Sequence, residues 1–288
     1  MTRIPEWLTV KLPKKGTFEE VAQRLRALGV NTVCENASCP NIGECFSKKT
    51  ATFMILGNVC TRNCGFCGVS HGKPQPVDAD EPERVAKAAS VLGLRYVVIT
   101  SVTRDDLPDG GASHFARTIT TLKRCIPDVK VEVLVPDFKG DTLALQRVLD
   151  AEPFVLNHNV ETVPRLYPIV RPEADYWRSL KLLETARRLQ PSIHTKSGIM
   201  LGLGESRDEV VQVLRDLRRV GCDFVTIGQY LRPSRSNLPV FEYVPPPTFE
   251  EYHAIASDLG FEHVASGPFV RSSYHASEAW GPVDNQDV

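Results

Sequence analysis

The stretch Thr52–Ser70, TFMILGNVCTRNCGFCGVS, constrains this chain more than any other. Phe53-Met54-Ile55-Leu56 is a short apolar run that reads as a buried strand ending at Gly57. Cys60, Cys64 and Cys67 follow with the spacing C-x3-C-x2-C. Three thiolates converging from one tight loop suit a soft metal centre, and three rather than four leave one coordination position open for chemistry. A disulfide would use only two of the three, and no other feature speaks for an oxidising compartment. Zinc is the rival, since a structural zinc site wants four ligands and His71 is the local candidate for the fourth.

The remaining cysteines sharpen that choice. Of eight in all, six fall between positions 34 and 67. Cys34, Cys39 and Cys45 form a second group, C-x4-C-x5-C, in a loop dense in Asn, Pro and Gly. In isolation that group reads equally as a zinc-stabilised loop or an iron–sulfur site. Two groups, each one ligand short, look like two cuboidal clusters rather than one six-thiolate site. Cys125, at the end of a helical pattern, and Cys222, just after Gly221, stand alone and read as packing residues. A net charge of −1 gives no reason to expect nucleic acid or a membrane surface as partner. No apolar run approaches the roughly 18 residues that would span a bilayer. The expectation is a cytoplasmic protein.

Residues 1–16, rich in Pro and Lys, read as an extended arm wrapping a surface. Thr17 and Glu20 then read as a T-x-x-E capping box, with Phe18, Val21, Ala22, Leu25 and Leu28 at helical spacing until Gly29. Beyond the cysteine loops the chain alternates. Strand-like runs fall at 51–56, 96–100, 130–135, 154–158, 194–200 and 223–228, and amphipathic helical patterns at about 82–92, 112–124, 141–150, 175–189 and 207–220. Alternation of this kind predicts right-handed βαβ units and a parallel sheet. Six units fill about three quarters of the roughly 250 residues of an eightfold barrel. The expected fold is therefore α/β, a partial (β/α)6 TIM-like barrel over 51–245. An N-terminal extension, 1–50, carries the second cysteine group, and a C-terminal extension covers 246–288.

In such a barrel the site lies at the carboxyl ends of the strands. The cysteine loop follows the first strand, Thr100–Asp106 the second, and Asn157–Thr162 the fourth. Lys196–Gly198 and Gly202–Glu205 lie on and after the fifth, and Gln229–Ser234 after the sixth. Each polar residue has a plainer reading beside the functional one. Asp105 and Asp106 can lead a helix, Asn157 and Asn159 can close an Asx-turn, and His158 and His194 read as satisfied core histidines. Lys196 inside a buried strand is harder to dismiss, because an unpaired ammonium there is costly and should meet an anion. Gly198, Gly202 and Gly204 most simply allow close backbone approach.

The C-x3-C-x2-C spacing, Phe66 between the last two cysteines and the preceding strand closely resemble the signature of the radical S-adenosylmethionine (SAM) enzymes. In those enzymes three cysteines hold a [4Fe-4S] cluster and SAM chelates the fourth iron. The second group, with ENASCPN and GEC around it, is similar to the auxiliary-cluster motif of the lipoyl synthases. From about Pro5 to Glu278 the whole sequence resembles that family, most tellingly in Arg271-Ser272-Ser273-Tyr274 near the end. The resemblance implies two [4Fe-4S] clusters, one on Cys60, Cys64 and Cys67, the other on Cys34, Cys39, Cys45 and Ser273, with Arg271 holding the tail in place. A hard alkoxide on a soft cluster makes Ser273 the weakest bond and the first lost on protonation. It further implies a transferase of lipoate biosynthesis, a sulfurtransferase. The first cluster and SAM generate a 5′-deoxyadenosyl radical, and the second cluster gives up sulfides that replace hydrogens at C6 and C8 of an octanoyl-lysine. SAM positions carried over from the family's layout are Phe66, Thr100, Ser101, Asp105, Asn159, Glu161 and Lys196. The implied partners are octanoylated lipoyl-carrier domains (E2 subunits of 2-oxoacid dehydrogenases, the glycine cleavage H protein) and an electron donor such as ferredoxin or flavodoxin. The competing functions are another sulfur-inserting radical SAM reaction, methylthiolase-like or biotin-synthase-like, and a zinc-stabilised binding module.

Overall fold

A computed structural model describes residues 4–9, 16–48 and 50–277. Parts of the arm expected over 1–16 and the end of the C-terminal extension, 278–288, lie outside the described residues. The chain divides into two compact units. One comprises Lys11–Arg62, Val69–Leu156 and His275–Val288, the other Met1–Val10, Asn63–Gly68 and Asn157–Tyr274. No helix among the described residues is long and apolar enough to cross a membrane.

The first unit opens with α1 (Thr17–Ala27), β1 (Asn31–Thr32), α2 (Val33–Asn36) and α3 (Ile42–Ser47). Thr17 is the first helical residue rather than the cap, and the Glu19 carboxylate, not Glu20, accepts the Gly16 N–H at 2.7 Å. The loop expected around Cys34 and Cys45 is instead two short helices. Thr32 caps α2 by accepting the Glu35 N–H, and the Asn36 side chain donates back to the Thr32 carbonyl at 2.9 Å. Phe46 on α3 is fully buried against Phe18 of α1, ring centroids 5.6 Å apart.

The strands β2 (Thr52–Ile55), β3 (Val59–Cys60), β4 (Ser70–His71), β5 (Tyr96–Ser101), β6 (Lys130–Leu134) and β7 (Val155–Asn157) follow, with α4 (Glu81–Val91), α5 (Ala112–Cys125) and α6 (Thr142–Leu149) between them. The sheet runs β1-β2-β5-β6-β7. β1 is antiparallel to β2, whereas β2, β5 and β6 are parallel neighbours. Helices cover a parallel sheet, so its strands are continuous apolar runs: Phe53, Ile55, Val97, Ile99 and Val133 are all inaccessible to solvent. β3 and β4 form a separate parallel pair that closes the cysteine loop, with Cys60 opposite His71. Cys125, expected to pack, is exposed at the end of α5; Cys222 is buried as expected.

The second unit holds α7 (Tyr167–Val170), α8 (Tyr176–Leu189), β8 (His194–Leu201), α9 (Arg207–Arg219), β9 (Phe224–Gln229), α10 (Pro246–Asp258) and β10 (His263–Gly267). β8, β9 and β10 are parallel. Six strands and five helices thus stand where the periodicity predicts them, and α10–β10 forms a further βα-type unit that the sequence does not announce. Its helix starts inside PPP and buries only Phe249, Tyr252 and Ala256, and its strand, HVASG, has a single β-branched residue, Val264, among small and polar ones.

Candidate metal centres and the groups around them

The cysteine loop begins where β2 stops. Leu56 takes a left-handed backbone (φ +67°) and Gly57 another (φ +88°), turning the chain off the strand. The Leu56 N–H donates to the buried Glu81 carboxylate at 2.6 Å, and Glu81 also meets His114 Nε2 at 2.8 Å. In the first unit the Cys60 sulfur accepts two backbone N–H groups, from Arg62 at 3.4 Å and Thr103 at 3.3 Å. The Arg62 guanidinium is held by Asp105 and Asp137. Burial works against its charge, but the two carboxylates keep its pKa above the ordinary value.

In the second unit the rest of the loop is pinned from other directions. Gly65 donates to the Val170 carbonyl at 2.9 Å and accepts from the Leu238 N–H at 2.9 Å, and Asn237 Nδ2 donates to the Cys67 carbonyl at 2.8 Å. A Cβ on Gly65 would stand 2.9 Å from Leu238 Cδ1, so glycine is what admits that approach. Phe66, beside it, is half-buried.

Within the first unit Cys34 is buried, Cys39 and Cys45 partly so. Burial first, then the neighbouring thiols Cys39 and Cys45, push the Cys34 thiol up to about 12; burial and then Cys39 push Cys45 to about 11. At those values the free Cys34 and Cys45 are neutral thiols, and a cluster would have to displace their protons on binding. Among the described residues, no three His, Cys, Asp or Glu side chains gather closely enough to hold one metal ion. His275 Nε2 meets Glu44 Oε1 at 3.1 Å. Glu44 directly precedes Cys45 in the sequence.

The SAM positions expected from the sequence sort into three kinds. Thr100 Oγ1 is spent on the Leu134 carbonyl at 3.2 Å, and Asp105 on Arg62. Ser101 Oγ is buried with no hydrogen-bond partner in the structure. Asn159, Glu161 and Lys196 lie in the second unit. Glu161 has a left-handed backbone (φ +66°) held by bonds to Gly198 and Met200 on β8. Its carboxyl lies above the usual range, chiefly through desolvation, with Arg171 and Asn159 pulling it back. Lys196 is buried on β8 as expected. His158 is a satisfied core histidine, Nε2 3.0 Å from Ser179 Oγ, and His194 stacks on Phe224.

Asn159 joins two of these groups. Its Nδ2 donates to Glu161 Oε1 at 3.0 Å, and its Oδ1 accepts from Ser272 Oγ at 2.6 Å. Arg271 Nη1 bonds back to the Val270 carbonyl at 2.6 Å, folding the tail on itself. Two glycines seat this tail. A Cβ on Gly198 would stand 3.1 Å from Ser272 Oγ, and one on Gly228 2.1 Å from the Val270 carbonyl oxygen.

Three functional candidates escape sequence reasoning: Arg62, Asp137 and Arg171. Arg171 Nη1 donates to the carbonyls of Asn159 and Val160 and to Tyr167 Oη, while its Nε is buried without a partner. Burial opposes its charge, but Tyr167, Glu161 and Cys64 hold it protonated. Only an arginine lodged in an otherwise apolar YPIVRP run could have drawn attention to it.

The family model described as the radical SAM superfamily matches residues 54–217. Among solved structures, a maturase of the [FeFe]-hydrogenase superimposes with a TM-score of 0.58 over 92% of this chain and 74% of its own, at 13% identity. Methylornithine synthase gives 0.55 over 88% and 79%, also at 13%. These likenesses establish the mostly parallel α/β, TIM-like partial-barrel fold. The lipoyl synthase of Caldanaerobacter subterraneus subsp. tengcongensis is 61% identical over 95% of this chain and 96% of its own length. That of Caldicellulosiruptor saccharolyticus is 59% identical over 96% and 97%. The chain is an enzyme of the lipoyl synthase family, within the radical SAM superfamily.

Proposed function

We propose that the protein inserts two sulfur atoms, at C6 and C8 of an octanoyl chain borne on a lysine of a lipoyl-carrier domain. Membership of the family gives the lipoyl product and the use of SAM and [4Fe-4S] clusters. The observation that supports the two-cluster reading in this chain is the pairing of His275, two residues beyond Ser273 in the sequence, with Glu44, which precedes Cys45. Cys60, Cys64 and Cys67 would hold one cluster, and Cys34, Cys39, Cys45 and Ser273 the sulfur-donating one, which is a substrate because it is consumed. With SAM bound, the first cluster supplies hydrogen-atom abstraction from an unactivated methylene, which no side-chain acid or base can perform.

The chain's own residues bind, orient and shield. Arg171, with an unused Nε–H, is suited to an anionic group such as a carboxylate, and Lys196 adds a second buried cation. Glu161 and Asn159 supply acceptors and an amide for ribose or amino groups. Ser101 offers a hydroxyl without a hydrogen-bond partner; Phe66 and Thr100 complete the SAM positions carried over from the family's layout. Arg271 and Ser272 hold the tail. The three-part division at residues 50 and 245 belongs to this proposal, as do E2 subunits or the H protein as carriers, ferredoxin or flavodoxin as reductant, and a cytoplasmic location. Incubating the anaerobically reconstituted protein with SAM, dithionite and an octanoyl-lysine peptide tests the reaction. Mass spectrometry should find a product carrying two sulfurs. A methylthio product, or no mass gain while 5′-deoxyadenosine accumulates, would refute it.

A further inference from the structure

Arg62 lies inside the cysteine loop, in the run Cys60-Thr61-Arg62-Asn63-Cys64, where the ligand spacing alone asks for no particular side chain. The loop is short and solvent is near, yet its side chain is only 4% exposed. Nε donates to Asp105 Oδ2 at 2.7 Å, and Nη2 to Asp105 Oδ1 at 3.0 Å and to Asp137 Oδ1 at 2.7 Å. Asp105 follows β5, and Asp137, wholly buried, follows β6. One guanidinium therefore ties the loop to the carboxyl ends of two adjacent strands. Lys139 braces the same pair: its N–H donates to Asp137 Oδ1 at 3.1 Å and its ammonium stands 4.0 Å from Asp105.

The neighbouring residue makes the backbone half of the tie. Thr61 N–H and Oγ1 both donate to the Thr103 carbonyl at 3.0 Å, and Thr61 Oγ1 accepts the Asp105 N–H at 3.1 Å. Residues 61–62 are thus zipped against 103–105. The two backbone N–H groups that reach the Cys60 sulfur come from those same segments, one from each side. Displacing either segment costs the sulfur a donor.

We propose that Arg62, through Asp105 and Asp137, is a positioning residue. It fixes Cys60 as a ligand and keeps its two N–H···S bonds in place, and by them it sets the reduction potential of the cluster on Cys60, Cys64 and Cys67. This rests on the reading that those cysteines hold a cluster. It assigns the Asp105 carboxylate to Arg62 rather than to SAM. Hydrogen bonds to a cluster's thiolates draw electron density off the sulfur, stabilise the reduced state and raise the potential.

The test uses full-length protein reconstituted anaerobically, as wild type, Arg62→Gln and Arg62→Lys. Wild type must first bind about eight irons per chain, as two four-iron clusters require; failure there defeats the cluster reading and not this inference. An EPR-monitored redox titration then follows the reduced signal that changes on adding SAM. Arg62→Gln should move its midpoint to lower potential and speed release of about half the iron to a chelator several-fold, leaving the SAM-insensitive cluster as in wild type. Arg62→Lys should recover part of both effects. A folded Arg62→Gln protein with wild-type midpoint and release rate overturns the proposal, and so does an equal shift of both clusters, which would mean general loosening. Should Arg62→Gln not fold, Thr61→Val opens the other half of the zip and leaves the ion pair intact. The same downward shift supports the proposal, and an unchanged midpoint overturns it.

Discussion

Replacing Gly228 by alanine adds one methyl group where the tail crosses β9. Its Cβ would stand 2.1 Å from the Val270 carbonyl oxygen and 3.1 Å from the carbonyl carbon. Those atoms are backbone, so no rotamer change relieves the clash. Ordinary contact begins at 3.4 Å, so the chain at Val270 must yield by about 1.3 Å. A movement of that size also pulls Ser272 from Asn159, whose hydrogen bond is 2.6 Å in the native arrangement. Overpacking of this kind costs about 1–3 kcal/mol. Taking 2 kcal/mol, the cluster-free protein should melt roughly 4–8 °C lower. Gly267→Ala is the matched control in the same turn, because its Cβ would meet only Val270 Cγ2, at an ordinary 3.5 Å. With Ser273 as a cluster ligand, Gly228→Ala should also lose iron from the second cluster while still making 5′-deoxyadenosine. Circular-dichroism melts and anaerobic iron analysis of both variants decide the matter. If Gly228→Ala melts with Gly267→Ala and keeps its iron, the tail is not seated on β9 as described.

Other perturbations test other parts. Arg171→Lys keeps the charge but removes the unused Nε–H, and should weaken SAM binding about tenfold, or about 1.4 kcal/mol, by equilibrium dialysis; unchanged affinity would place SAM elsewhere. Glu209, paired with Arg165 and capping α9, is held down to about 2 from an ordinary 4.5. Its contribution is therefore present above pH 4.5 and lost as pH falls towards 2. It is worth no more than about 1 kcal/mol at this partly exposed site, and Arg165→Gln should flatten that limb of the urea midpoint against pH. Cys34→Ala and Cys60→Ala, analysed separately without oxygen, should each lose about half of the iron and sulfide, as two independent centres demand.

What the sequence discloses follows the range over which its signals act. The strands at 52–55, 96–101 and 224–229 are continuous apolar runs, and the three cysteines at 60, 64 and 67 are a local spacing, so both are legible without a structure. α2 and α3 are not, since helices of four and six residues complete too few turns to show a period. α10–β10 hides behind three prolines and a strand of small residues. Contacts across long sequence separation are silent for a different reason. Ser272 meets Asn159 at a separation of 113 residues and Arg62 meets Asp137 at 75, and no periodicity reports such pairs. The resemblance to the lipoyl synthases is what proposes Ser273 as a cluster ligand; the residues alone read as part of a solvated turn.

The central claim is that one cluster in this chain is spent as sulfur while the other survives. Its most direct test is iron and acid-labile sulfide per chain before and after a single turnover with excess SAM and dithionite, alongside the sulfur content of the octanoyl product. The account predicts two sulfurs in the product and the loss of one four-iron cluster, with the Cys60, Cys64 and Cys67 cluster retained. A doubly thiolated product formed while both clusters stay whole would contradict it.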